Sequence, residues 1–203
     1  MNNTETDQPS QVIVTVSQPV TAHFASLFGK GVDVDIPPGC SIRAVLCEQI
    51  GVKSDYLDHR IQTLFLDGKA VDDVDTAMIR NGASLALSAA MPGLVGATMR
   101  KGGRYAAMRK EISHDAACVE TAQQRGTFTL KLFNLVLKEL GALFLSQGIR
   151  ISGTDISKLF RTAPENFWNK CHSITIDGEE TSREQLFEID WRKEKIALKI
   201  LQE

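Results

Sequence analysis

The sequence predicts an α+β protein, and three patterns in the first half of the chain carry that prediction. Residues 32–36 alternate between apolar and acidic side chains with a period of two, as expected of a half-buried strand. Residues 42–50 place apolar side chains at helical spacing after Ser41, which is a good N-cap. The dipeptide Asp67-Gly68 between two apolar runs marks a tight turn that joins two strands.

Further strands surround these patterns. Residues 12–16 form a β-branched run that suits a strand, whereas residues 20–28 fit either a strand or a helical turn. Later strands are predicted at 63–66, 69–71 and 84–89. The order gives a hairpin at the front, one main helix and a further strand pair. This suggests a β-grasp (ubiquitin-like) sheet with the helix on one face, although periodicity alone also allows other small α+β folds.

The second part of the chain is predicted to be mainly helical with a small strand pair. Apolar spacing predicts helices over 104–124 and 127–147, and the second is apolar on most sides, as expected of a buried helix. Residues 173–178 combine a strand with an Asp-Gly turn. Residues 195–201 fit either a strand that pairs with 173–176 or a final helix.

Composition places the chain among ordinary globular proteins. It has 203 residues, of which 43% are hydrophobic and 24% charged, with a formal charge of −2, so nucleic-acid binding is not expected. No apolar run approaches the ~18 residues that a membrane span needs. The polar start lacks the features of a signal peptide, so we expect a cytoplasmic protein whose four cysteines are reduced.

The domain organisation follows from the composition along the chain. Residues 1–11 are predicted to be a disordered lead-in, 12–91 the β-grasp domain, 92–103 a glycine-rich basic linker, and 104–203 the mainly helical domain. The oligomeric state is left open by the sequence.

The sequence indicates no metal site, cofactor or catalytic residue. Cys40 and Cys47 lie seven positions apart without a CxxC motif, and Cys171-His172 are neighbours that point apart on a strand. The remaining histidines are isolated, and no motif such as GxSxG frames them. The acidic loop around Asp72 lacks the glycine and the distal glutamate of an EF-hand loop.

Five pieces of the first half resemble a known family. They are Phe24-Ala25-Ser26-Leu27, the stretch from Val32 to Ile42, Phe65 to Val71, Asn81 to Leu87, and Pro92 to Gly96. In this order they are similar to the sulfur carriers typified by the small subunit of molybdopterin synthase and the thiamine-pathway carrier. The likeness covers residues 12–97 and implies a β-grasp fold. Residues 104–203 resemble no family that we recognise.

The resemblance also implies a function, which this chain does not retain in full. In that family a partner enzyme adenylylates the terminal glycine, which then becomes a thiocarboxylate. Here Ala97 stands at the position of the last glycine and the chain continues, so no carboxylate is available there. Only Gly96 carries over at the tail. We therefore expect a non-catalytic adaptor whose segment Pro92, Gly93, Leu94, Val95 and Gly96 occupies a groove. By resemblance its protein partner is an adenylylating or synthase-type enzyme.

Two other functions remain open from the sequence. Cleavage after Gly103 would expose Gly102-Gly103 as the working end of a true sulfur or ubiquitin-like carrier. An enzyme with a site between the domains is the third hypothesis, and the sequence names no reaction for it. The basic residues Arg100, Lys101 and Arg104 follow the glycines and are candidates for contact with an anion.

Overall fold

A ten-stranded mixed sheet forms the centre of the protein in the computed structural model, which describes residues 11–36, 39–90, 93–104, 126–192 and 195–203. Buried and partly exposed residues alternate along its main strands. One hydrophobic cluster joins the buried side chains of the strands to those of the helices. One face of the sheet therefore packs against the helices, while the other carries residues such as Asp33 and Lys131.

The first half of the chain provides seven strands and several short helical segments. In chain order the elements are β1 (Gln11–Val16), a 3₁₀ helix (Thr21–Phe24), α1 (Ala25–Lys30), β2 (Val32–Ile36), β3 (Cys40–Ser41), helical segments Ala44–Gln49 and Tyr56–Arg60, β4 (Thr63–Leu66), β5 (Lys69–Ala70), β6 (Met78–Ile79), β7 (Ser84–Ser88) and α2 (Gly93–Met99). Strands β3 and β6 pair with each other in a small separate sheet.

Among the described residues, the second half provides five strands and four helices. In chain order they are β8 (Gly126–Phe133), α3 (Asn134–Gln147), β9 (Ile149–Ile151), α4 (Gly153–Arg161), α5 (Glu165–Trp168), β10 (Cys171–Ile176), β11 (Glu179–Glu180), α6 (Arg183–Glu188) and β12 (Ile196–Gln202). Helix α3 ends at Gly148, whose φ of 109° suits glycine. Ser182 and Gln185 form a capping box at the start of α6.

The strand order shows that the two halves of the chain share one sheet. It runs β11-β10-β1-β12-β9-β2-β8-β7-β4-β5. Strand β1 pairs parallel with β12 and antiparallel with β10, and β8 pairs parallel with β7 and antiparallel with β2. The directions of pairing read alike from both ends, and the order is centred on the antiparallel contact of Asp33 with Arg150 between β2 and β9. The strand beside β2 is β8, whereas the strand beside β9 is β12.

Several predicted elements differ from the structure. The front hairpin is wrong, because helix α1 separates β1 from β2 and buries Leu27 and Phe28. The helix predicted over 127–147 begins only at Asn134, since Thr127 to Phe133 alternate with a period of two and form β8. Residues 196–202 form a strand that pairs with β1 and β9 and not with β10. The C-terminal part is therefore richer in strands than predicted.

Candidate functional site

The segment predicted as a linker contains a short helix with two exposed apolar side chains. Helix α2 spans Gly93–Met99, and its Gly96 is buried. The Leu94 side chain is 74% exposed and that of Val95 is 64% exposed, more than any other large apolar residue among those described. The two side chains therefore lie on the surface and not in a groove of this chain. Pro92 lies outside the described residues.

Three hydrogen bonds fix the end of this segment to the first half of the molecule. The Lys101 amide donates to the Gln62 carbonyl oxygen at 2.7 Å, and the Lys101 ammonium donates to the Leu57 carbonyl oxygen at 2.8 Å. The Gly102 amide donates to the Asp72 carboxylate at 2.9 Å. Because backbone groups make most of these contacts, the position of the segment depends little on the identity of its exposed side chains.

A set of charged groups surrounds the Lys101 anchor. The Arg43 guanidinium donates to Asp75 at 2.6 Å and to Asp58 at 2.7 Å, and the hydrogen bonds raise its pKa. The same guanidinium lowers the pKa of Asp58. Burial lowers the pKa of Lys101, against the opposing effect of Asp58. Opposite charges therefore lie next to each other where the segment meets the acidic loop.

The two glycines of the candidate carrier end have a structural explanation. Gly102 has a φ of 59°, in the left-handed region that glycine favours. The Gly103 amide donates to the Arg100 carbonyl oxygen at 3.1 Å, and a Cβ on Gly103 would lie 3.1 Å from that same oxygen. The turn that follows α2 thus accounts for the Gly102-Gly103 pair without any processing.

The three basic residues considered for anion contact have different surroundings. The Lys101 ammonium is occupied by the carbonyl group of Leu57. Arg100 and Arg104 are exposed. Gly93, at the other end of α2, is exposed and has a φ of 78°. Among the described residues of this stretch, the exposed basic side chains are therefore those of Arg100 and Arg104.

A cavity at the carboxyl ends of β7 and β8 was not predicted from the sequence. It has a volume of about 280 Å³, and its lining includes Phe65, Ala86 and Phe133. At the rim of this cavity, the side-chain amide of Asn134 donates to the Ser88 hydroxyl at 3.3 Å. Two exposed apolar side chains extend this surface, namely Phe133 at 38% and Leu135 at 42%. The sequence signal for this surface was the large number of apolar side chains in residues 130–144. The helix predicted over 127–147 placed them in a buried core.

The histidines and cysteines considered from the sequence have different surroundings. No group of three or more His, Cys, Asp or Glu residues there could hold a metal ion. Burial raises the pKa of the Cys171 thiol to about 11, which leaves it unreactive at neutral pH. The His23 ring lies 4.7 Å from the Phe167 ring and within hydrogen-bond distance of the Leu159 carbonyl oxygen, at 3.2 Å. His114 and Cys118 lie outside the described residues.

Comparison of the chain with family models, curated proteins and solved structures gives no match. In the part of the chain that the structure describes, no helix is both long and apolar enough to cross a bilayer. Function therefore has to be argued from the surface formed by α2 and its surroundings.

Proposed function

We propose that the protein is a non-catalytic, sulfur-carrier-like binding module of the β-grasp type, which docks a protein partner through helix α2. The observation that carries the proposal is the contrast within residues 93–103. Leu94 and Val95 are exposed, while Lys101 and Gly102 hold the end of the helix by three hydrogen bonds. An exposed apolar pair on a fixed support is costly in water and suits contact with a partner.

The sheet of the first half supports the β-grasp part of the proposal. Strands β2, β8, β7, β4 and β5 lie side by side, and the helical segment Ala44–Gln49 contributes Val45 and Leu46 to the core. The order of elements in the sequence predicts a hairpin, a helix and a further strand pair. Here the antiparallel pair β2–β8 takes the place of the hairpin. This arrangement differs from the predicted one because β8 comes from the second half of the chain.

The proposed partner is an adenylylating or synthase-type enzyme of the cytoplasm, by resemblance to the sulfur carriers. Such a partner would present an apolar groove to Leu94 and Val95. Arg100 and Arg104 lie exposed after α2, so acidic residues beside that groove would complement them. Because α2 is already folded on this chain, little conformational entropy would be lost on docking.

A double substitution tests the docking role. We expect Leu94→Asp/Val95→Asp to abolish co-purification of the partner with the tagged protein from cells that naturally express it. Two charges would be transferred into an apolar groove, which is strongly unfavourable. The unfolding free energy should change by less than about 0.5 kcal/mol, because both side chains are exposed. Mass spectrometry identifies the co-purifying proteins, and thermal unfolding checks the fold.

The matched control is Leu201→Asp, which places the same charge at another partly exposed leucine, on β12. We expect this variant to retain the partner. If the double variant and the wild type recover the same proteins in the same amounts, α2 is not the docking segment.

The carrier-precursor alternative meets a physical obstacle in the sheet. Cleavage after Gly103 would leave the carrier fragment paired with β8, a strand of the other fragment that lies between β2 and β7. To act alone, the carrier would have to dissociate from β8 and leave the edges of those two strands unpaired. The alternative predicts a shortened chain with a thiocarboxylate at Gly103, and the intact mass of the protein from its native cells distinguishes it from the full-length adaptor.

A further inference from the structure

Each half of the molecule is completed by a strand from the other half. In the first half, β8 fills the position between β2 and β7, with five residue pairs on each side. In the second half, β1 fills the position between β10 and β12. Both inserted strands are central in their half of the sheet, and their inward side chains are buried.

The two halves also repeat the same local features in the same order. A helix that follows the first strand ends at a glycine with similar φ, 120° at Gly31 and 109° at Gly148. A Cβ on Gly31 would lie 3.3 Å from the Lys131 side chain, and one on Gly148 would lie 3.1 Å from that of Lys199. Gly31 is therefore close to a lysine of the inserted strand β8, and Gly148 is close to a lysine of β12.

The repeat continues through the next helix and hairpin. The Ser41 hydroxyl accepts from the amide three residues later at 3.2 Å, and the Ser152 hydroxyl accepts from the amide three residues later at 3.1 Å. Each helical region is followed by a strand and an Asp-Gly turn. Asp67 and Asp177 have φ of 52° and 50°, and both are followed by a glycine with positive φ.

Side chains add contacts between the halves. Asp35 accepts two hydrogen bonds from Arg150, at 2.8 and 2.9 Å, and Asp33 forms an ion pair with Lys195. Glu139 on α3 accepts from Tyr56 at 2.6 Å. Each exposed ion pair contributes little by itself, so the inserted strands carry most of the association.

We propose that the two halves of the chain, called units below, hold together without the connection between them, because each inserts its first strand into the other's part of the sheet. Among the described residues, the strand pairings that join the halves are β1 with β10 and β12, β8 with β2 and β7, and β2 with β9. The interface between the units is therefore of the kind found in an obligate dimer, with each unit supplying a strand to the other. This inference is independent of the docking role of α2.

Cleavage of the connection tests the proposal. A recognition sequence for a site-specific protease is inserted between Gly103 and Gly126 of the full chain, and hydrolysis adds one water across the cleaved peptide bond. We expect native mass spectrometry and size-exclusion chromatography to show one particle of uncut mass plus that water, even at about 1 μM protein. Denaturing electrophoresis should show two fragments. The Tm of the cut protein should rise with protein concentration, whereas that of the uncut protein should not.

A pair of leucine substitutions sharpens the test. In the cut protein, Leu130→Ala removes a fully buried side chain of β8 and should raise the dissociation constant of the fragments about 100-fold. Leu135→Ala, at a partly exposed position of α3, should change it by less than about fivefold. Separation of the fragments under native conditions, or a cut protein whose Tm is independent of concentration, would overturn the proposal. Thermal unfolding of the uncut protein confirms that the insertion itself is tolerated.

Discussion

The two units of the molecule share a framework, and they differ in what surrounds it. Both have a glycine-ended helix after the first strand, a serine cap and an Asp-Gly turn before a short edge strand. Only the first unit is followed, within the described residues, by an exposed helix held by an anchor such as Lys101. Features found in both units serve the fold, so the feature found in one unit is the better candidate for function.

The two units also differ in how their side chains interact. The second unit has a cluster of aromatic rings in which Trp168 contacts Phe160, Phe167 and Phe187, at centroid distances of 5.3 to 6.1 Å. The first unit instead concentrates charge around Arg43, next to the anchored segment. An aromatic cluster stabilises by apolar burial, whereas the charged network positions a segment on the surface.

The largest expected effect tests whether the units unfold together. Leu130→Ala on β8 should lower the free energy of unfolding by about 3 kcal/mol, because it leaves a cavity beside the first unit's strands. The loss should appear in a single transition for both units, since the sheet is continuous. Urea unfolding followed by tryptophan fluorescence, which reports Trp168 and Trp191 in the second unit, and by far-UV circular dichroism measures this. Two separated transitions would show that the units are independent.

A smaller pair of effects compares the equivalent helices α1 and α3. Gly141→Ala on α3 should destabilise the protein by about 1–2 kcal/mol, because its Cβ would overlap the methyl group of Thr21. Gly29→Ala on α1 meets nothing within 4 Å and should stabilise by about 0.5–1 kcal/mol, since glycine is entropically costly in a helix. Thermal unfolding of both variants measures whether each substitution raises or lowers the stability. A change in the same direction for both variants would contradict the close approach at Gly141.

Local patterns in the sequence predicted much of the secondary structure. The period-two alternation of residues 32–36 became β2, and the Asp67-Gly68 dipeptide became the β4–β5 turn. The helix predicted over 127–147 ends at Gln147, as expected. These features are decided by neighbours within a few residues, which is the range over which side-chain periodicity and backbone preference act. The mixed α and β character followed from them, whereas the single ten-stranded sheet did not.

Strand pairing could not be predicted in the same way. Residues 12–16 have the composition of a strand whichever strand lies beside them, and nothing local indicates that β12 would be their parallel neighbour. The same holds for β8, whose Leu130 and Phe133 also fit a helical stripe. The candidate site depended on this topology as well. The anchor at Lys101, which holds the end of α2, involves contacts with Leu57 and Gln62, far away in sequence.

The smallest expected effect concerns the pH dependence of a contact between the units. Hydrogen bonds from Arg60 and Tyr56 lower the pKa of Glu139 from 4.5 to about 2. A carboxylate whose pKa is lowered in the folded state stabilises the protein above its ordinary pKa, and this stabilisation is lost as the pH falls. Above pH 4.5 the free energy of unfolding of the wild type should therefore exceed that of Glu139→Gln by the full contribution of the contact. This difference should decline as the pH falls towards 2 and vanish below it.

Urea unfolding at a series of pH values measures that difference, with Glu188→Gln on α6 as the control at an exposed glutamate. The control should follow the wild-type profile throughout, because other carboxylates titrate equally in both proteins and cancel. A Glu139→Gln profile parallel to that of the wild type through the acid range would mean that the Arg60–Glu139 contact, at 2.6 Å, does not stabilise the junction in solution. The inserted strands β1 and β8 would then account for the association of the units without help from this ion pair.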